Sequence, residues 1–393
     1  MEKVKIGNYV KQIRGVSYKP NDLHNDLNSD SVILLRANNI NEGKINFDDI
    51  VYVDKSKVKK EQYLKKGDIL VCASSGSKEL VGKAAFINKD YAVTFGAFCK
   101  LIRPKDCIAG YLGHYFNSQM YKEKISSLAL GANINNIRNE HIDELLIYLP
   151  NKAEQQNISI LLDEVSDLTD KRKKQLEKLD ELVKSRFVEM FGDSEFNTMQ
   201  WPTKKISEIC AVSSSKRIYQ NELSTEGVPF LRISDLNECI DNAKNVPELF
   251  IPINKYNELK ENGLVPTEGD ILVTSRGTLG RCYIVRPEDE FYFQDGMISW
   301  LSDLNSQITS VYLSQLFAMS GIQKQIASLQ AGSTVAYLSI TMLKKLNIML
   351  PPLDRQEQFA AFVKQTDKSK LEVQKSLEKL EVLKKALMQK YFG

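Results

Sequence analysis

The sequence is poor in the residues that build metal centres and active sites. It has three histidines, His24, His114 and His141, and six cysteines, at 72, 99, 107, 210, 239 and 282, with no C-x-x-C pair. Zinc sites and disulfide frameworks need clustered thiolates or imidazoles, so no metal ligand is assigned and the thiols are expected to behave as small buried hydrophobes. No apolar run reaches membrane-spanning length, and Met1-Glu2-Lys3-Val4-Lys5 lacks the apolar segment of a secretory signal. The expectation is a cytoplasmic protein with no membrane partner.

Catalytic signatures are missing too. Neither G-x-S-x-G nor H-E-x-x-H occurs. Gly76 to Lys83 looks like a phosphate-binding loop, but five residues separate Gly76 from Gly82, and Ala84 stands where a magnesium-binding Ser or Thr is required. No catalytic residue is assigned, and no cofactor is expected on this chain.

What the sequence does have is a repeat. Pro150 to Gly192 returns as Pro351 to Gly393 at a constant offset of 201, aligning Gln155 with Gln356, Leu176 with Leu377, Leu182 with Leu383 and Phe191 with Phe392. Each copy has apolar residues at helical spacing and no internal Gly or Pro, which predicts two amphipathic helices, over 152–191 and about 353–392. About 40 residues at 1.5 Å each give a rod of roughly 60 Å. A rod with such a stripe needs a partner, and the simplest is the other copy. The predicted seam is Leu176, Leu179, Leu182 and Val183 against Leu377, Leu380, Leu383 and Leu387.

The stretches before each helix also repeat. Val32 to Leu35, Asp68 to Val71, Ala84 to Ile87 and Ala92 to Phe95 read as strands, and Ile108 to Ser127 as a helix. Leu34 to Glu42 corresponds to Phe230 to Glu238, and Gly67-Asp68-Ile69-Leu70-Val71 to Gly269-Asp270-Ile271-Leu272-Val273. Gly131 to Pro150 corresponds to Gly332 to Pro351. The predicted fold is α+β: two mixed, strand-rich domains at 1–151 and 193–351, and two long helices at 152–192 and 352–393 packed against each other, with a pseudo-twofold repeat.

Apolar positions match between the copies while polar residues differ, so the loops are where function is expected. Basic residues outnumber acidic ones 22 to 17 in 1–151, whereas 193–351 has 14 against 18. A polyanion site in the second domain must therefore be a local patch. Candidate phosphate neutralisers are Lys57, Lys59 and Lys60, with Lys216 and Arg217 in the second domain. Small polar loops follow each Gly-Asp strand and supply Ser74, Ser75, Ser77 and Lys78, or Ser275, Arg276 and Thr278. The Gly-led loops supply Asn133, Asn136 and Arg138, or Ser333, Thr334 and Tyr337. Amides, hydroxyls and a guanidinium suit base edges, although the same residues cap ordinary turns. Arg276 and Lys78 are the strongest individual candidates, while Arg36 and Arg232 are expected to form pairs within their own domains.

The order of domain, long helix, domain, long helix resembles the specificity subunit of type I restriction-modification systems. The resemblance rests on the two Gly-Asp-Ile-Leu-Val segments, the Gly-led loops at 131 and 332, the prolines opening Gln-containing helices at Gln155 and Gln356, and the Leu-Glu-Lys-Leu cores running to Phe-Gly. It implies that each domain is a target recognition domain reading one half of an asymmetric bipartite site in double-stranded DNA, and that the long helices form an antiparallel coiled coil that sets the half-site spacing. It further implies a chain without catalysis of its own. The expected partners are two DNA adenine methyltransferase subunits with S-adenosylmethionine, and restriction subunits, ATP-dependent translocase/nucleases, with ATP and magnesium. A non-catalytic coiled-coil scaffold carrying two protein-binding domains is the alternative.

Overall fold

The computed structural model describes residues 3–77, 79–130, 136–241, 248–330 and 336–393. They form two compact units, Met1–Lys173 with Lys375–Gly393, and Lys174–Gln374, so each long helix is divided between the units.

In the first unit a four-stranded antiparallel sheet runs in the order Val10–Arg14, Cys99–Pro104, Ile69–Cys72, Ala84–Phe86. A second sheet has the order Val93–Phe95, Ser31–Leu35, Val51–Asp54, Leu23–His24, its first pairing parallel. The second unit repeats the first sheet with Ala211–Ser213, Ile298–Ser302, Ile271–Thr274 and Cys282–Ile284. Its other sheet has three strands, Phe250–Ile251, Val228–Leu231 and Tyr292–Phe293. In each unit one strand from near the start of the domain pairs with one just before a long helix: Lys3–Lys5 with Leu146–Tyr148, and Thr203–Lys205 with Asn347–Met349.

The repeated Gly-Asp motif explains itself locally. Gly67 and Gly269 sit at φ +89° and +87°, a region that side-chain-bearing residues rarely enter. The aspartate then closes the turn, Asp68 accepting from Lys65 N and Asp270 from Thr267 N, each at 2.8 Å. Ile69, Leu70 and Val71, like Ile271, Leu272 and Val273, are fully buried. That is why these strands read as unbroken apolar runs rather than alternating ones. The buried Asp68 is matched by a bidentate Arg103 at 2.8 Å, whose guanidinium pKa is raised by that bond. Asp270 instead accepts from Trp300 Nε1 at 3.0 Å.

The single helix expected over 108–127 is two helices, Ala109–Tyr115 and Gln119–Leu130. Ser118 causes the break. Its Oγ accepts from Tyr121 N and starts the second helix, while Asn117 Nδ2 turns back to Gly113 O. After Leu35 a 3₁₀ turn, Ala37–Asn39, stands where the second unit forms the helix Ile233–Ile240.

Both long helices are continuous, Lys152–Phe191 and Leu353–Phe392. They are antiparallel within each unit. In the first unit Ile158 and Leu162 share a core with Phe392; in the second, Phe187 and Phe191 lie 5.5 and 5.4 Å from Phe359, ring to ring. The helix ends carry the same anchor twice: Phe392 meets Tyr111 at 5.0 Å and Phe191 meets Tyr312 at 4.8 Å, offset by 201 at both positions. The tyrosine hydroxyls donate to Tyr148 O and Met349 O, again offset by 201.

Of the predicted seam, Val183 and Leu377 are buried and Leu176, Leu179, Leu380 and Leu387 half-buried, but Leu182 and Leu383 face solvent, 47% and 46% exposed. Val183 takes the inward position beside Leu182, because adjacent residues on a helix point about 100° apart. Its repeat equivalent is Lys384, whose pKa is lowered by desolvation.

Gln155 and Gln356 secure the starts of the helices. Gln155 accepts from Ile108 N at 2.9 Å and donates to Pro150 O at 2.7 Å; Gln356 accepts from Thr309 N and donates to Pro351 O, both at 2.9 Å. Gln356→Leu keeps the volume but orphans these backbone groups, at about 1–3 kcal/mol each. Phe191→Ala is expected to cost about 3–5 kcal/mol. Both tryptophans, Trp201 and Trp300, lie in the second unit, so urea unfolding followed by tryptophan fluorescence reads that unit; a loss below about 0.5 kcal/mol for either variant contradicts these assignments.

Candidate nucleic-acid interface

Each unit brings its two polar loops together beside the same strand. In the first, Ile137 N donates to Ala73 O at 2.7 Å, and Ser74 and Asn136 form an isolated antiparallel bridge. In the second, Leu338 N donates to Ser275 O at 3.0 Å, and Arg276 bridges Tyr337. The buried Ile137 and Leu338 pin the loops to the core. The side chains on either side of the pins are then free to differ.

In the first unit the loop after the Gly-Asp strand borders a cleft of about 680 Å³, lined by Ser74, Ser75 and Gly76 together with Tyr18, Arg36, Asn38 and Phe98. Phe98 O accepts from Ala73 N and Ser74 N, while its side chain is 71% exposed. Tyr18, Asn38 and Phe98 were not among the sequence candidates. The Phe98 signal was an aromatic in a Gly-Ala turn; Tyr18 and Asn38 carried none. Arg36 lines the cleft and is paired, its Nη2 donating to Asp49 O at 2.7 Å and Oδ2 at 2.8 Å. Arg232 is paired as well, with Asp235 and Glu248.

In the second unit the Arg276 guanidinium lies 5.0 Å over the Tyr337 ring. Gln330 clamps the Tyr337 backbone from both sides, accepting from its N and donating to its O, each at 2.8 Å. Thr278 is exposed, and its carbonyl accepts from Thr274 Oγ1. Ser275 departs from expectation. It is buried and its Oγ meets Ser299 Oγ at 2.7 Å, because the hydrogen-bonded strand ladder holds it inward. Its side chain belongs to the frame and not to a contact surface.

The remaining candidates are spread more widely. Lys57 and Lys60 sit on the 3₁₀ turns after Val51–Asp54, with Lys59 just before the second, and none of them lines the cleft; Lys57 pairs with Asp22 at 3.0 Å. The Asp22 carboxyl is held below its usual range, first by the Lys19 backbone N–H and then by Lys57. Ser77 and Arg138 are exposed, Arg138 just before the helix Asn139–Asp143. Lys216 is anchored through its backbone to the Tyr292 hydroxyl, and Arg217 pairs with Asp295 at 2.9 Å. Lys78, Asn133, Ser333 and Thr334 lie outside the described residues.

Among the described residues no cluster of His, Cys, Asp and Glu could hold a metal ion, and no helix is long and apolar enough to cross a membrane. Burial holds five of the six thiols in the protonated form. Burial pushes Cys72 and Cys107 up to about 11 and Cys210 to about 12, and raises Cys99 and Cys282 further. The surface that remains is one of hydrogen-bonding loops.

The family model of the type I restriction modification DNA specificity domain matches residues 1–179 and again 199–384. The chain belongs to this family. It is 30% identical over 405 residues to the type I restriction enzyme EcoKI specificity subunit of Escherichia coli K12, covering 97% of this chain and 86% of that protein. Against the StySPI specificity subunit of Salmonella potsdam it is 29% identical over 408 residues, with the same coverage. Its fold is similar to the crystal structure of a type I restriction-modification S subunit from M. genitalium: TM-score 0.59, 18% identity, 100% of this chain and 96% of that one covered.

A raised thiol pKa depletes the thiolate. At pH 8 a group titrating near 11 has roughly 100-fold less thiolate than an ordinary cysteine, and the deficit closes only as pH rises towards that value. Iodoacetamide at pH 8 is expected to label Cys72, Cys107 and Cys210 at least tenfold more slowly than denatured chain, read by peptide mass spectrometry. Equal rates would contradict this.

Proposed function

We propose that this chain reads DNA sequence for a type I restriction-modification complex, each unit recognising one half of an asymmetric bipartite site and the paired long helices setting the spacing between halves. The observation that carries the reading is one backbone frame used twice with different side chains on it: Ser74 and Asn136 in one unit, Arg276 and Tyr337 in the other. A frame fixed by backbone hydrogen bonds with variable loop tips is what recognition of two unlike half-sites requires.

On this reading the chain does no chemistry. Methyl transfer falls to two DNA adenine methyltransferase subunits using S-adenosylmethionine, and cleavage to ATP- and magnesium-dependent restriction subunits.

Forty helical residues correspond to roughly 60 Å, enough to hold contacts about one DNA turn, 34–36 Å, apart. Removing one heptad from 166–175 together with its equivalent from 367–376 shortens the pair by about 10 Å, or about three base pairs. The methylated motif in cells carrying the shortened chain and its partners is expected to keep both half-sites with a narrower gap; an unchanged gap with intact methylation rules the spacer out. Exchanging residues 1–150 for another recognition domain is expected to change one half-site alone, which methylome sequencing reads.

A further inference from the structure

We infer that Arg276 reads a guanine in the half-site bound by the second unit, with Tyr337 as the platform that aims it; this rests on the DNA-reading function proposed above. Most arginines of that unit are committed elsewhere. Arg217 pairs with Asp295, Arg232 with Asp235 and Glu248, and Arg281 with Asp241. Arg276 combines two features: among the described residues no carboxylate pairs with it, and its Nε, like that of the Glu189-paired Arg186, is buried without a hydrogen-bond partner. Its planar group lies over the Tyr337 ring at 5.0 Å.

This geometry selects a base over a phosphate. An arginine on an aromatic face has lost most of its rotamer freedom in advance. With Nε enclosed, the donors left to a ligand are those of Nη1 and Nη2, a flat fork matched to guanine O6 and N7, the commonest specific arginine contact in the major groove. The platform is rigid, since Gln330 holds the Tyr337 backbone at N and O and Leu338 N is tied to Ser275 O. Gly277, at φ +69°, turns the chain immediately after Arg276. The surroundings agree: residues 193–351 carry 14 basic against 18 acidic side chains, a poor surface for general backbone attraction and a suitable one for a single placed cation. At the matching register of the first unit stand Ser74 and Asn136, neutral groups that cannot make this contact. The two half-sites should accordingly differ at this position.

The test is methylome mapping and competition binding with the complete methyltransferase complex carrying wild-type chain, Arg276→Gln, Arg276→Lys or Tyr337→Ala. The expected result for Arg276→Gln is a loss of about 10- to 100-fold in discrimination at one G·C pair of one half-site, the other half-site keeping its specificity. Arg276→Lys keeps the charge but loses the fork, so it should relax the same pair, and Tyr337→Ala should weaken discrimination there. Three outcomes overturn the inference: every position of the motif retained in Arg276→Gln and Arg276→Lys, a uniform loss across all sequences with a salt slope smaller by about one phosphate contact, or relaxation at an A·T pair. A wild-type complex that methylates without any bipartite motif would instead sink the DNA-reading function itself.

Discussion

The structure depends on a shortage of apolar cover. Neither globular unit closes its core from its own strands and short helices; each is completed by one end of a long helix that belongs, by chain order, to the other half of the repeat. Phe191 does this for the second unit, packed on Tyr312 and Phe359, and Phe392 for the first, packed on Tyr111 and Tyr115. Buried aromatic pairs of this kind contribute both area and geometry. The constraint explains why both helices keep an apolar stripe to their last turn. It also means that the first unit is finished only when the end of the second long helix returns to it, a long-range contact made at an entropic cost.

Much of this was legible in the sequence, because what repeats there is what is buried. The offset of 201 survives in Gln155 and Gln356 and in Phe191 and Phe392, positions where a side chain fills a core or satisfies backbone groups that nothing else reaches. The Gly-Asp motif was legible for the same reason: a positive φ followed by a carboxylate closing the turn admits few substitutes. The pairing of Arg36 and Arg232 within their own units also followed from their place in that frame.

Elsewhere the deciding quantity is three-dimensional. Leu182 and Val183 are neighbours of equal hydropathy class, and only the rotation of the helix against its partner says which one turns inward. Ser118 had no periodicity to betray it, since a serine that caps a new helix and one on a helix surface look alike in sequence. Ser275 and Arg276 are adjacent residues in one polar loop, yet the strand ladder buries the first and presents the second. The cleft of the first unit gathers Tyr18, Arg36, Ser74 and Phe98 from four separate stretches, a juxtaposition that no spacing rule encodes.

The buried frame and the loop tips form one design. The elements legible in the sequence are those whose replacement costs stability, and they form a frame whose loop register is set by the backbone bonds of Ile137 to Ala73 and of Leu338 to Ser275. Side chains at the adjoining positions, Ser74, Asn136, Arg276 and Tyr337, make little of the core, so exchanging them is expected to cost folding little, as surface substitutions generally do, and on the proposed function it is there that a change of target would be written. A protein that must read two different half-sites with one architecture needs that separation between what holds the loops and what the loops display. It follows that the two units should drift apart fastest at those tips while keeping their glutamines, aromatic anchors and Gly-Asp turns in step, which is the pattern the two halves of this chain already present.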